Sequence, residues 1–83
     1  MNKQKPEDLL KRITINPKVM VGKPTIRGLR ITVEQILKAL AGSVAPEELL
    51  EDYPELEKED IQAVLLYAAG LAEEERVYAV NAG

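Results

Sequence analysis

The chain has 83 residues, neither cysteine nor histidine, and 30% charged residues with a net charge of −3. This excludes a disulfide framework and a thiolate metal site, and it leaves the nucleophile–base pairs of covalent catalysis scarce. One domain of this size buries only about 60–65% of its unfolded surface, so a homodimer is the expected way to gain core. No apolar run approaches the roughly 18 residues of a membrane span. Met1-Asn2-Lys3-Gln4-Lys5-Pro6 has no apolar signal region behind it. A cytoplasmic, non-enzymatic chain without cofactor or metal is the expectation. The charge is unevenly spread: residues 1–40 hold nine Lys/Arg and three acids, and residues 41–83 hold two and eleven. That asymmetry bears on partners and association rather than on fold.

In chain order, residues 1–11 read as an N-terminal arm. Pro6 to Lys11 can make one helical turn, with proline first and Glu7 and Asp8 where the helix dipole favours acids. A single small domain follows over 12–76. Its β front, 12–31, starts with the alternating Arg12-Ile13-Thr14-Ile15-Asn16, which Asn16-Pro17 ends as a turn. Apolar Val19-Met20-Val21 leads to Gly22. In Gly22-Lys23-Pro24-Thr25-Ile26-Arg27-Gly28-Leu29-Arg30-Ile31-Thr32, Pro24 pushes Lys23 toward an extended shape and Gly28 is the natural turn point between two β-prone arms. The stretch carries three cations and no acid. It is not a phosphate loop: that motif needs a glycine at position 17, where Pro17 stands, and Pro24 follows the lysine.

Three helices are predicted, at about 33–42, 46–52 and 58–75. Thr32 caps the first, with Gln35 completing a capping box and Gly42 placed to end it. Pro46 opens the second and Pro54 closes it. The third carries the stripe Ile61, Val64, Leu65, Ala68, Leu71 and Ala72. Each helix has an apolar residue before its cap and another at its fourth position: Ile31 with Ile36, Val44 with Leu49, Leu56 with Ile61. These are three hydrophobic staples. Ala45 and Glu57 are weaker caps than Thr32. Tyr53 and Tyr67 fall on apolar faces and read as core. Residues 77–83 read as a frayed tail.

The second and third helices, joined by Tyr53 to Glu57, have the outline of a helix-turn-helix. The third helix would present Glu57, Lys58, Glu59, Asp60 and Gln62 to a groove, and the three acids there repel phosphate. Contact with nucleic acid or another partner would fall to the front half: Lys11, Arg12, Lys18, Lys23, Arg27 and Arg30. The alternative is that Arg27 and Arg30 pair with acids of the last two helices and fix the β front to them. Glu47, Glu48, Glu51 and Asp52 read as a solvated helix face.

The residues Ile13, Pro17, Gly22-Lys23-Pro24, Ile26-Arg27-Gly28, Arg30-Ile31, Pro46-Glu47-Glu48, Leu50, Tyr53-Pro54, Leu56 and Asp60-Ile61 resemble a small prokaryotic family. It is the domain-of-unknown-function family four hundred and thirty-three, with antitoxin-like helix-turn-helix proteins. The resemblance covers about residues 12 to 69. It implies a mainly α, three-helix, homeodomain-like bundle behind a small N-terminal β segment. It also implies an antitoxin role beside a PIN-like nuclease toxin. Departures from the family pattern fall at Asn16, Leu29, Ala45 and Glu57. Two functional readings follow: an antitoxin-like homodimer that binds a toxin and operator DNA, or a structural dimerisation domain that binds no nucleic acid.

Overall fold

The computed structural model describes residues 5–74. The fold is mainly helical with one small antiparallel sheet. Helix α1 (Pro6–Leu10) leads to β1 (Ile13–Thr14), a tight turn at Met20–Gly22, β2 (Thr25–Ile26), α2 (Val33–Ala41), α3 (Pro46–Asp52) and α4 (Lys58–Glu74). Ile13 pairs with Ile26 and Thr14 with Thr25. Helix α4 is the element against which the others pack: α1, β1, α2 and α3 all contact it. The expected frayed tail, 77–83, lies outside the described residues. None of the described helices is long and apolar enough to cross a membrane.

The core is formed by the staple residues. Ile31, Ile36, Leu49, Leu56 and Ile61 are buried, and Val44 packs against them half-buried. Ile26, Val33 and Val64 complete the cluster. Burying each of these aliphatic side chains contributes about 1.5–3 kcal/mol.

The helix starts share a second device. In α2, α3 and α4 the third residue reaches back to the backbone N–H of the capping position. Gln35 Oε1 accepts from Thr32 at 2.8 Å, Glu48 Oε1 from Ala45 at 3.2 Å, and Asp60 Oδ2 from Glu57 at 2.8 Å. At Thr32 the box is reciprocal, because Thr32 Oγ1 accepts from Gln35 N–H at 3.0 Å. Alanine at 45 has no side-chain oxygen, so only half a box forms there. The weak caps at Ala45 and Glu57 are thus offset from the third helical position.

Several expectations are corrected. The β front shrinks to two strands of two residues, because Met20, Val21 and Gly22 all adopt positive φ (50°, 56° and 78°). A β-branched residue such as Val21 is costly there, at about 1–2 kcal/mol. On α4 the buried face runs through Asp60, Ile61, Ala63 and Val64, whereas Leu65 and Leu71 are exposed, as is Ala72. Helix α2 does end at Gly42, as expected, but Gly42 has φ −86° and the left-handed position falls to Ser43 at φ 71°. Ser43 N–H donates to Leu40 C=O at 3.0 Å and Val44 N–H to Ala39 C=O at 3.0 Å, the paired bonds of a Schellman motif.

Glycine is the residue that this motif favours at its left-handed position. Ser43→Gly is therefore expected to raise the unfolding free energy by about 1 kcal/mol. Urea denaturation checks this, and an unchanged midpoint would contradict it.

Candidate functional site

The cationic stretch begins with an extended Lys23 (φ −70°, ψ 148°) and turns at Arg27-Gly28. Both central residues of that turn have positive φ, 48° and 72°, and Leu29 N–H donates to Ile26 C=O at 2.8 Å. Two successive left-handed residues are the type I′ pattern, which suits the twist of a short hairpin. Gly28 meets it freely, and its N–H donates to Thr14 Oγ1 at 2.9 Å. Arg27 is an unusual occupant of the first position. Its backbone N–H donates to Arg12 C=O at 2.7 Å, and its side chain is held from the other end.

That other end is Asp60, in the first turn of α4, which is fully buried. Arg27 Nη2 donates to Asp60 Oδ2 at 2.9 Å and Nε to Oδ1 at 3.0 Å, a two-pronged grip. Arg12 Nη1 donates to Oδ1 at 3.0 Å. With the Glu57 N–H on Oδ2, both carboxylate oxygens are satisfied from three directions. The arginines are anchored further: Arg27 Nη2 to Glu55 C=O at 2.6 Å, Arg12 Nη1 to Glu57 Oε1 at 2.7 Å. The cluster therefore joins the residue before β1 and the residue after β2 to the start of α4.

Burial alone would raise the Asp60 carboxyl. The hydrogen bonds from Arg27, the Glu57 N–H and Arg12 outweigh it and hold the group below the ordinary aspartate value. Arg27 is raised above its ordinary value, chiefly by its hydrogen bond to Asp60. Arg12 is raised too, chiefly by its bond to Glu57.

The structure separates the sequence-predicted contact residues into two sets. Arg12 and Arg27, expected among the candidate contacts for nucleic acid or a partner, are directed onto Asp60 inside the chain, with side chains 18% and 34% exposed. Their arrangement is the alternative in which Arg27 ties the β front to the helices. Arg30 and Lys18 are exposed and have no ion-pair partner among the described residues. Lys23 lies between these sets: its Nζ meets Glu34 Oε1 at 3.0 Å in solvent. Glu34 also meets Lys38 at 2.9 Å. First Lys38 and then Lys23 lower the Glu34 carboxyl to about 2. Among the residues expected to be structural, Thr32 caps α2, Pro46 opens α3 and Tyr53 ends it.

Among the described residues, two apolar grooves border α4. One, of about 310 Å³, lies between α2 and α4 and is floored by Pro24, Val33, Leu37, Tyr67 and Leu71, with Lys23, Glu34 and Lys38 around it. The other, of about 390 Å³, lies between α3 and α4 and is floored by Pro46, Leu50, Ile61 and Leu65, with Glu47, Lys58 and Gln62 around it. Sequence reasoning missed Asp60 as the partner of the arginines. The signal was there: Asp60 stands three and four residues before Ala63 and Val64, on the helix face that is buried.

Residues 13–68 match the family described as "Protein of unknown function (DUF433)". The chain belongs to the DUF433 family. A curated relative, "Uncharacterized protein y4eO" of Sinorhizobium fredii (strain NBRC 101917 / NGR234), is 32% identical over 56 residues. Those residues are 68% of this chain and 25% of the relative, so the DUF433 segment spans about a quarter of that protein's length. No solved structure matches the chain. Within the DUF433 match lie Arg27, Gly28 and Asp60 but not Arg12, which just precedes it.

Removing Asp60 strands two arginines at the edge of the core. Asp60→Ala is expected to cost about 3 kcal/mol, the low end for a broken buried pair, because both arginines can still reach water. Urea denaturation measures it; a loss below about 1 kcal/mol would contradict the assignment. Because the folded carboxyl lies below its unfolded value, its stabilisation is present above the ordinary aspartate range and is lost as pH falls through the folded value. Asp60→Asn should flatten that acid limb in a pH series of unfolding midpoints. A limb as steep as the parent's would contradict it.

Proposed function

We propose that this chain is a non-enzymatic protein-binding domain of the antitoxin-like kind that its family resemblance implies. The observation that carries this reading is the placement of α4's leucines: Leu65 and Leu71 are 50% and 42% exposed, each in one of the two grooves, while Arg12 and Arg27 turn inward. Large apolar side chains in open grooves fit contact with another protein. A PIN-like nuclease toxin is the partner that the resemblance suggests, and the groove between α2 and α4 is the face for it. That groove combines an apolar floor with a rim of Lys23, Lys38 and the Glu34 they share, a net positive edge, so it suits an acidic-rimmed apolar projection.

Operator DNA is the second reading. It is favoured by Lys18 and Arg30, which are exposed without an ion-pair partner among the described residues. The outline of α3, a short connection and α4 also fits a homeodomain-like helix-turn-helix. The weight against it is the acidic start of α4, where Glu57 and Glu59 stand close to any phosphate in that groove.

Co-expression with the product of the adjacent gene tests the protein reading. The account expects a stable complex, weakened about tenfold by Leu71→Glu while the helical circular dichroism is kept. Failure to co-purify with any neighbouring nuclease would end it. Gel shifts with DNA from upstream of the gene test the second reading. Lys18→Glu with Arg30→Glu should reduce the shift, and added salt should abolish it. Absence of any shift at low salt would remove DNA.

A further inference from the structure

The segment Asn16 to Lys23 is a turn tied by its own hydrogen bonds that carries Val21 into solvent, while Val19, Met20 and Gly22 stay half-buried. Val19 N–H donates to Asn16 C=O at 2.9 Å, Gly22 N–H to Val19 C=O at 3.1 Å, and Lys23 N–H to Met20 C=O at 3.1 Å. Lys18 N–H donates to Asn16 Oδ1 at 2.9 Å. At the tip is Val21, 93% exposed and held at φ 56°. A β-branched residue gains nothing locally from such a position. It has neither the conformation it favours nor any burial, and glycine would serve the turn better. Strain of this kind points to a task for the side chain outside the chain itself. Val21 lies in sequence between Lys18, which has no ion-pair partner among the described residues, and Lys23, which is paired with Glu34.

The groove between α3 and α4 offers an apolar floor of Leu50, Ile61 and Leu65, with Glu47 on its α3 rim and Lys58 on its α4 rim. Glu51 follows Glu47 by one helical turn and is also exposed. At about 390 Å³ the groove has room for a valine side chain with its backbone.

We propose that this groove is occupied by the Val21 projection of a second copy of the chain, forming a two-fold dimer in which each Val21 enters the other's α3–α4 groove. Lys18 then faces Glu47 and Glu51 across the rim. Lys18, without an ion-pair partner among the described residues, attracts the exposed acids of α3 in this orientation, and α3 repels α3 when like faces meet. A rigid projection adds to affinity because little conformational freedom is lost on docking. The inference rests on the protein-binding reading for its premise but uses the other groove, so the α2–α4 face stays open for a different partner.

Sedimentation velocity of the purified chain at micromolar concentration, with thermal unfolding of each variant, tests the proposal. The parent should sediment as a dimer. Val21→Gly should sediment as a monomer that still unfolds cooperatively, since glycine adopts the turn without strain. Lys18→Glu and Glu47→Lys should each weaken the dimer severalfold, and the two together should restore it. A monomeric parent, or Val21→Gly that dimerises like the parent, would overturn the proposal. A monomer that still captures a neighbouring nuclease through Leu71 would end this inference alone. A dimer that captures nothing would leave it standing without the toxin partner.

Discussion

Asp60 is the one fully buried acid among the described residues. A buried carboxylate left unpaired would cost several kcal/mol. Here it receives Arg12 from ahead of β1, Arg27 from behind β2, and the backbone N–H of Glu57 from the start of its own helix. Two strands of two residues are far too short to be stable alone. The front half is held because its two arginines reach the same side chain on α4. The left-handed conformation of Arg27 makes sense in this light. The turn aims the guanidinium, and the ion pair offsets the cost of the turn.

The same cluster changes the meaning of the basic front half. Its strongest sequence feature, Ile26-Arg27-Gly28, serves internal architecture. Of the exposed cations, Lys23 is already engaged with Glu34, and Lys18 and Arg30 remain available at the surface. What α4 offers outward is apolar on both sides, Leu65 toward α3 and Leu71 toward α2. A helix that contacts four other elements and still exposes two leucines has more apolar surface than this small domain covers. That excess moves the functional reading from a nucleic-acid interface toward protein contacts.

The helices were legible because their signals are local. Thr32 with Gln35, Pro46 and the three staples each lie within a few residues, and the observed helix starts coincide with them. The turn at Gly28 was legible for the same reason. The partner of Arg27 was less so, since the pair spans 33 residues and only the helical spacing of Asp60 from Ala63 and Val64 separates it from Glu57 and Glu59. Left-handed Val21 and Ser43 were also hidden, because propensity places neither residue at positive φ. On α4 the expected stripe holds at Ile61 and Val64, and the buried face continues through Asp60 and Ala63 rather than Leu65, Leu71 and Ala72.

The domain is thus an α-helical frame closed by an arginine-clamped aspartate, with its remaining apolar surface turned outward. A double-mutant cycle between Arg27 and Asp60, measured by urea unfolding of Arg27→Ala, Asp60→Ala and the pair, tests that claim most directly. The account predicts a coupling of about 2 kcal/mol between residues in one buried network. Independent effects, additive to within about 0.5 kcal/mol, would contradict it and return Arg27 to the set of residues free to bind a ligand.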